Sequence, residues 1–333
     1  SYQQTDREIP PMKARQIDKE LCKVIDALSE AHPPIKQELR KNSIVTGGAI
    51  ASMLLKEKVH DYDIYFDSLE ALVKVMSYFG AQSNAKYLVA FQAGASIPQQ
   101  GVYQHPEEEE ELADVPENTA EVHYKLFTDI SSLARNPDVL YISLYYQSTG
   151  NWVLGDEQKK TAEKEDKKFF LKFASPNAIT LSDKVQLVFR FFGPPEEIHR
   201  NYDFVHATNY WTYKDGLVTN TEALEAILAR ELIYKGSRFP LASIFRTRKF
   251  IQRNWTIHIA NYVKMAFQLN MLDLTNIHVL REQLTGVDAA YLNAIIRECA
   301  KAPHPITCEY VCNLVDRIIK GGEEEREDED ADS

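Results

Sequence analysis

Cysteines and long apolar runs are both scarce in this sequence of 333 residues. Its four cysteines are too few for a disulfide framework in a chain of this length. No apolar run reaches the roughly eighteen residues that a membrane-spanning helix needs, so we expect no contact with a membrane. The first residues lack the apolar core of a signal peptide. These absences favour a reducing cytoplasm, which would be the host cytoplasm if the gene is viral.

The excess of acidic residues is confined to two segments. The net charge is −11, yet residues 106–121 carry eight acids and no base, and residues 321–333 carry eight acids and one arginine. Since these segments together contribute −15, the remainder of the chain carries +4. We expect both segments to be disordered or solvated. The remaining, mildly basic part could bind a phosphate-rich substrate.

Two adjacent glycines mark the first functional pattern. Ser43–Thr46 predicts a strand, Gly47 and Gly48 follow it, and residues 49–56 predict a short helix. Glycines let the backbone approach a phosphate closely, and the first turn of a helix offers free N–H groups to it. The pattern therefore predicts a phosphate-binding turn.

Two aspartates follow in a second predicted strand, residues 60–66. Because alternate residues of a strand share a face, Asp61 and Asp63 should point the same way. Two neighbouring carboxylates repel each other unless a divalent cation lies between them. Together with the glycines, they predict a site for a nucleoside triphosphate such as ATP and for Mg²⁺ or Mn²⁺.

This order of strand, glycines, helix and Asp-x-Asp strand resembles the nucleotidyltransferase superfamily that includes DNA polymerase beta, CCA-adding enzymes and poly(A) polymerases. In that superfamily a third carboxylate lies on a later strand. Here residues 184–192 predict a strand, a short helical turn follows, and residues 201–206 (NYDFVH) predict another strand. The resemblance implies that Asp203 is the third carboxylate. The alternative is an ordinary surface aspartate in an edge strand.

The resemblance also implies a role for each residue. Asp61, Asp63 and Asp203 would be the catalytic and metal-binding residues, with Asp203 as the base towards the attacking hydroxyl. The phosphates would be contacted by Gly47, Gly48 and Ser52.

A basic helix, predicted over residues 240–253, carries the densest cluster of positive charge. Arg246, Lys249 and Arg253 lie at i, i+3 and i+7 and share one helix face. The helix is similar to one found in uncharacterised predicted nucleotidyltransferases, many from bacteriophages. This similarity implies that Arg246 and Lys249 bind the nucleotide. The alternative, which we favour for Arg253, is a solvated basic face.

The predicted fold class is α+β, with a nucleotidyltransferase-type mixed β-sheet and helices followed by an all-α C-terminal half. Helical spacing predicts helices over residues 13–30, 69–79 and 221–234, and further helices towards the C-terminus. The predicted divisions are an N-terminal helical segment (1–40), a catalytic domain (41–218) with an insertion at about 80–167, an α-helical domain (219–320) and a disordered acidic tail (321–333).

The expected activity is Mg²⁺-dependent transfer of a nucleoside monophosphate from a nucleoside triphosphate to a hydroxyl. An RNA 3′ end, possibly of tRNA, is the favoured acceptor, because many superfamily members with two glycines act there. The alternatives are a protein hydroxyl, as in toxin-like members, a small molecule, or a non-catalytic scaffold. The sequence does not determine the oligomeric state.

Overall fold

A computed structural model describes residues 11–93, 119–126, 128–146, 151–284, 287, 289–302 and 306–331. The chain divides into two compact units, and the boundary between them falls between Ala229 and Arg230. Among the described residues, no helix is both long and apolar enough to cross a membrane. The four cysteines are all free thiols.

The first unit is built around an eight-stranded mixed sheet with the strand order β11-β10-β1-β2-β9-β8-β7-β6. The pair of β2 and β9 is parallel, and the other neighbouring pairs are antiparallel. The strands, in chain order, are β1 Ser43–Thr46, β2 Tyr62–Phe66, β6 Trp152–Val153, β7 Leu171–Ala174, β8 Ala178–Leu181, β9 Val185–Phe192, β10 Tyr210–Thr212 and β11 Gly216–Val218.

Eight helices accompany this sheet in the described part of the first unit. They are α1 Pro11–Ala31, α2 Lys36–Asn42, α3 Gly48–Leu55, α4 Leu69–Gln82, α5 Ile130–Ala134, α6 Asp156–Lys164, α7 Pro195–His199 and α8 Thr221–Ala229. The α1 helix forms where the sequence places apolar residues at helical spacing, and Leu21, Ile25 and Leu28 are fully buried. Ile64 and Phe66 of β2 are also fully buried, so that face of the strand belongs to the core.

The predicted insertion contains a second, three-stranded antiparallel sheet. Its order is β4-β3-β5, from β3 Tyr87–Ala93, β4 Thr119–Lys125 and β5 Val139–Tyr145. The helix α4 continues through Gly80, where we had predicted its end. A Cβ atom at Gly80 would lie 3.0 Å from Leu144 of β5, so the glycine permits close helix–strand packing.

The second unit is largely helical. Its helices are α9 Pro240–Gln252, α10 Ile259–Leu269, α11 Ile277–Gln283, α12 Ala289–Lys301 and α13 Cys308–Ala331. Two short strands, β12 Glu231–Leu232 and β13 Thr256–Ile257, form a parallel pair. A buried apolar cluster holds α11 to α13 together, with Leu280, Leu284, Ile295, Cys299, Ile306 and Leu314 at its centre.

The α+β class, the large mixed sheet and the helical C-terminal half are confirmed. The predicted helix over 221–234 is too long: α8 ends at Ala229, because Arg230 adopts a left-handed conformation with φ of 51° and β12 follows. Part of the tail predicted to be disordered is helical, since α13 runs to Ala331. Most of the first acidic segment, residues 106–118, lies outside the described residues.

Candidate functional site

The glycine turn lies against Asp63, one of the three predicted metal ligands. Gly47 has φ of 92° and ψ of −149°, a conformation that is essentially restricted to glycine. A Cβ atom at this position would lie 3.5 Å from Oδ2 of Asp63 and 3.7 Å from the hydroxyl of Tyr202. The N–H of Gly47 donates a hydrogen bond to the carbonyl of Ala207 at 3.2 Å. This N–H is therefore already engaged within the protein, and the turn is fixed close to Asp63.

Gly48 begins α3 and is open to an approaching group. No atom lies within 4 Å of the position that a Cβ atom would occupy there, apart from its chain neighbours and its own helix backbone. The N-terminus of α3 receives no side-chain cap from Gly47, so its first N–H groups are available to an anion. Ser52 lies one turn along α3 and is half-buried. The structure thus favours Gly48 over Gly47 as the point of phosphate contact.

The two aspartates stand at the start of β2. Asp61 precedes the strand and is exposed, whereas Asp63 lies within it and is half-buried. Burial raises the pKa of Asp63 to about 7, and the negative charge of Asp61 adds to the effect. A carboxyl group with such a raised pKa is held in an environment that disfavours its charge. A cation bound between the two side chains would remove this penalty.

A buried network of hydrogen bonds supports Asp63 from one side. Thr46, its antiparallel partner on β1, donates from Oγ1 to the carbonyl of Asn209 at 2.7 Å. Because that hydroxyl hydrogen is used, Nε2 of His199, 2.8 Å from the same oxygen, must be the donor in that pair. The hydroxyl of Tyr202 also bonds to Thr46, and burial raises its pKa well above the usual value. This network fixes the turn and the strand relative to each other.

Asp203 does not lie on a strand, contrary to our prediction. It occupies a bend, followed by a single bridge residue, Phe204, and a 3₁₀ turn over Val205–Ala207. The backbone here forms local bonds, such as Tyr202 N–H to the carbonyl of His199 at 3.1 Å, instead of a ladder. The regular strand begins only at Tyr210.

Asp203 acts electrostatically on a buried histidine. Its charge favours protonation of His206, but burial is the larger cause and lowers the pKa of that imidazole to about 4. In the part of the chain that the structure describes, no three histidine, cysteine, aspartate or glutamate side chains lie together as a metal-binding group. The structure therefore brings Asp61 and Asp63 together without adding Asp203 to them.

Two carboxylates are nevertheless a suitable donor set for Mg²⁺. This ion is commonly bound by one or two carboxylates, with the remaining positions taken by substrate phosphates and water. Burial, with the added repulsion of Asp61, raises the pKa of Asp63, and a divalent cation bound there would offset this penalty on the charged carboxylate. The residues present fit Mg²⁺ or Mn²⁺ bound together with a nucleoside triphosphate.

The predicted basic residues belong to the second unit. Arg246 and Lys249 both lie on α9, and Lys249 is in its last turn and exposed. Phe245 of the same helix packs against the apolar cluster of the second unit, which fixes how α9 is oriented within that unit. Their predicted role in nucleotide binding remains a prediction.

Sequence reasoning missed the neighbours that shape the site. Thr46 and Gln186 pair with Asp63 in the sheet, Tyr202 lies close to it, and His199 bonds to Thr46. Local patterns do not reveal these long-range contacts. One signal was available for Gln186, because it lies in a strand that was predicted from the sequence. Its register against β2 could not be read from that signal.

Comparison with models of known protein families gives a match. The model of the Gabija anti-defense 2 family matches residues 16–230, which is more than half of the chain, so the chain belongs to that family. Our assignment to the nucleotidyltransferase superfamily, and to bacteriophage-type predicted nucleotidyltransferases, is therefore wrong: no nucleotidyltransferase family matches. Motifs of two or three residues recur across unrelated families, so they were not sufficient to assign the chain to a superfamily. No curated protein and no solved structure matches the chain.

Proposed function

We propose that this member of the Gabija anti-defense 2 family counteracts the Gabija defense by nucleotidyl transfer. The reaction moves a nucleoside monophosphate from a nucleoside triphosphate to a hydroxyl and depends on Mg²⁺. One observation carries the proposal: Asp63, with Asp61 beside it, lies against a glycine turn that opens an uncapped helix. The mixed sheet around β1, β2 and β9 would then hold the site residues in a nucleotidyltransferase-type arrangement, although the chain does not belong to that superfamily.

In this proposal each group has a separate task. The first N–H groups of α3, beginning with Gly48, bind the phosphates, since an anion is favoured at a helix N-terminus. Asp61 and Asp63 would hold the cation, which would supply charge neutralisation on the triphosphate and on the departing pyrophosphate. The acceptor hydroxyl attacks the α-phosphorus, a new P–O bond forms, and pyrophosphate leaves. Asp203 is the proposed base that takes the hydroxyl proton.

The name of the family bears on the acceptor. An anti-defense protein acts against a component of the defense, which favours a side-chain hydroxyl on a Gabija protein. An RNA 3′ end remains the acceptor expected from the sequence, because the chain outside its two acidic segments carries a net charge of +4. The predicted role of Arg246 and Lys249 in nucleotide binding is kept as a separate proposal for the second unit.

The activity can be tested directly with labelled nucleotides. The protein is incubated with each α-³²P-labelled nucleoside triphosphate, Mg²⁺ or Mn²⁺, and an extract of cells that carry the Gabija defense. The matched variants are Asp63→Asn and Asp138→Asn, which remove the same charge from the site and from an exposed turn. We expect label to be transferred by the wild type and by Asp138→Asn but not by Asp63→Asn.

The position of the label identifies the acceptor. Label on a protein band would identify a Gabija component as the acceptor, and label on RNA would identify a 3′ end. Label on a small molecule would show that the acceptor is a small molecule. If nothing is labelled under any condition, while the protein still blocks the defense, the enzymatic proposal is wrong and a binding scaffold takes its place.

A further inference from the structure

The register of the sheet places a neutral amide directly beside Asp63. The parallel pairing of β2 and β9 sets Asp63 opposite Gln186 and Ile64 opposite Leu187. Adjacent strands lie about 4.8 Å apart, and paired residues point to the same face of a sheet. Ile64 and Leu187 are both fully buried in the core, whereas Asp63 and Gln186 are half-buried on the opposite face. The amide and the carboxylate therefore share one face at neighbouring positions.

Of the two lateral neighbours of Asp63, Gln186 is the one whose polar group is not engaged. On β1, the hydroxyl of Thr46 is already bonded to Asn209 and His199. On β9, no hydrogen bond of the Gln186 side chain is found within the described ranges. The ammonium of Lys184, two residues earlier, donates to the carbonyl of Val59 at 3.0 Å. An amide oxygen is thus left beside the carboxylate pair.

We propose that Gln186, and not Asp203, provides the third protein oxygen to the cation held by Asp61 and Asp63. The inference rests on the proposed function. Amide carbonyls are suitable ligands for hard divalent cations such as Mg²⁺ and Mn²⁺. With a neutral third ligand, the two carboxylate charges are balanced by a single divalent cation. Asp203 lies in a bend and is not a ligand in this assignment; its proposed role remains that of the base.

Binding of Mn²⁺ alone tests this assignment without any need for activity. Electron paramagnetic resonance measures free Mn²⁺ during a titration of the full chain. Gln186→Leu keeps the size of the side chain and removes its oxygen, and we expect about tenfold weaker binding. Gln186→Glu adds a third carboxylate, and we expect about tenfold tighter binding because charge in the ligand set raises affinity. Asp203→Asn should bind Mn²⁺ as the wild type does.

The outcomes separate this inference from the proposed function. If Asp63→Asn loses Mn²⁺ but neither Gln186 variant changes the affinity, Gln186 is not a ligand and only the inference is overturned. The same holds if Asp203→Asn weakens binding more than Gln186→Leu does. If Asp63→Asn binds as the wild type, the metal site itself is wrong and both proposals fail. Circular dichroism of each variant confirms folding, and Gln186→Glu decides the matter if Gln186→Leu does not fold.

Discussion

The two adjacent glycines should respond to the same substitution in opposite ways. At Gly47, φ of 92° and ψ of −149° place an L residue in a strained region, although a Cβ atom would make only ordinary contacts at 3.5 and 3.7 Å. Gly47→Ala should therefore lower the free energy of unfolding by about 1–3 kcal/mol through backbone strain alone. Gly48 is already helical and faces open space, so Gly48→Ala should leave stability unchanged or raise it by up to about 1 kcal/mol.

Nucleotide affinity should fall in Gly48→Ala, the variant that we expect to be at least as stable as the wild type. The methyl group of Gly48→Ala would occupy the space through which a phosphate approaches α3, so we expect at least about a tenfold loss of affinity, or about 1.4 kcal/mol. Urea denaturation measures stability, and calorimetric titration with a Mg²⁺–nucleoside triphosphate measures affinity. A Gly47→Ala protein as stable as the wild type would refute the backbone argument. Unchanged nucleotide affinity in Gly48→Ala would refute phosphate contact at the start of α3.

Three further changes test the groups around the turn. Without divalent cations, Asp63→Asn should be more stable than the wild type at pH 8, by about 2 kcal/mol after allowance for partial exposure, because the raised pKa makes ionisation of Asp63 costly. In urea titrations this gain should disappear as the pH falls from about 7 to 4. Tyr202→Phe should cost about 1 kcal/mol of stability and lower kcat, since it removes the hydroxyl that bonds to Thr46; equal kcat would contradict a positioning role. Burial lowers the pKa of the His206 imidazole to about 4 in the folded protein. Between about pH 6.5 and pH 4, His206 therefore binds a proton in the unfolded chain but not in the folded one. The wild type should therefore lose on the order of 3 kcal/mol between pH 6.5 and 4, and His206→Leu should show a weaker pH dependence in the same titration.

The sequence predicted the elements of the site better than it predicted their arrangement. β1 and β2 and the start of α3 were recognised, because β-branched and apolar runs and a pair of glycines are local signals. Asp203 was placed on a strand because the order of a strand, a short helical turn and the segment NYDFVH resembles what precedes the third carboxylate in the nucleotidyltransferase superfamily. In the structure, the hydrogen bonds from Gly47 to Ala207 and from Thr46 to Asn209 hold the segment that follows Asp203 against the glycine turn. These contacts join residues some 160 positions apart, which no local pattern specifies.

The family match ends at residue 230, so the basic helix α9 of the second unit lies outside it. Every group that we place around the cation and the phosphates, from Gly48 on α3 to Gln186 on β9, lies within residues 16–230. The basic helix α9 begins at Pro240, beyond the match and in the second unit. If nucleotide chemistry is what the family has in common, it requires only the groups of the first unit. Loss of Arg246 or Lys249 should therefore leave transfer intact, whereas loss of Asp63 should abolish it.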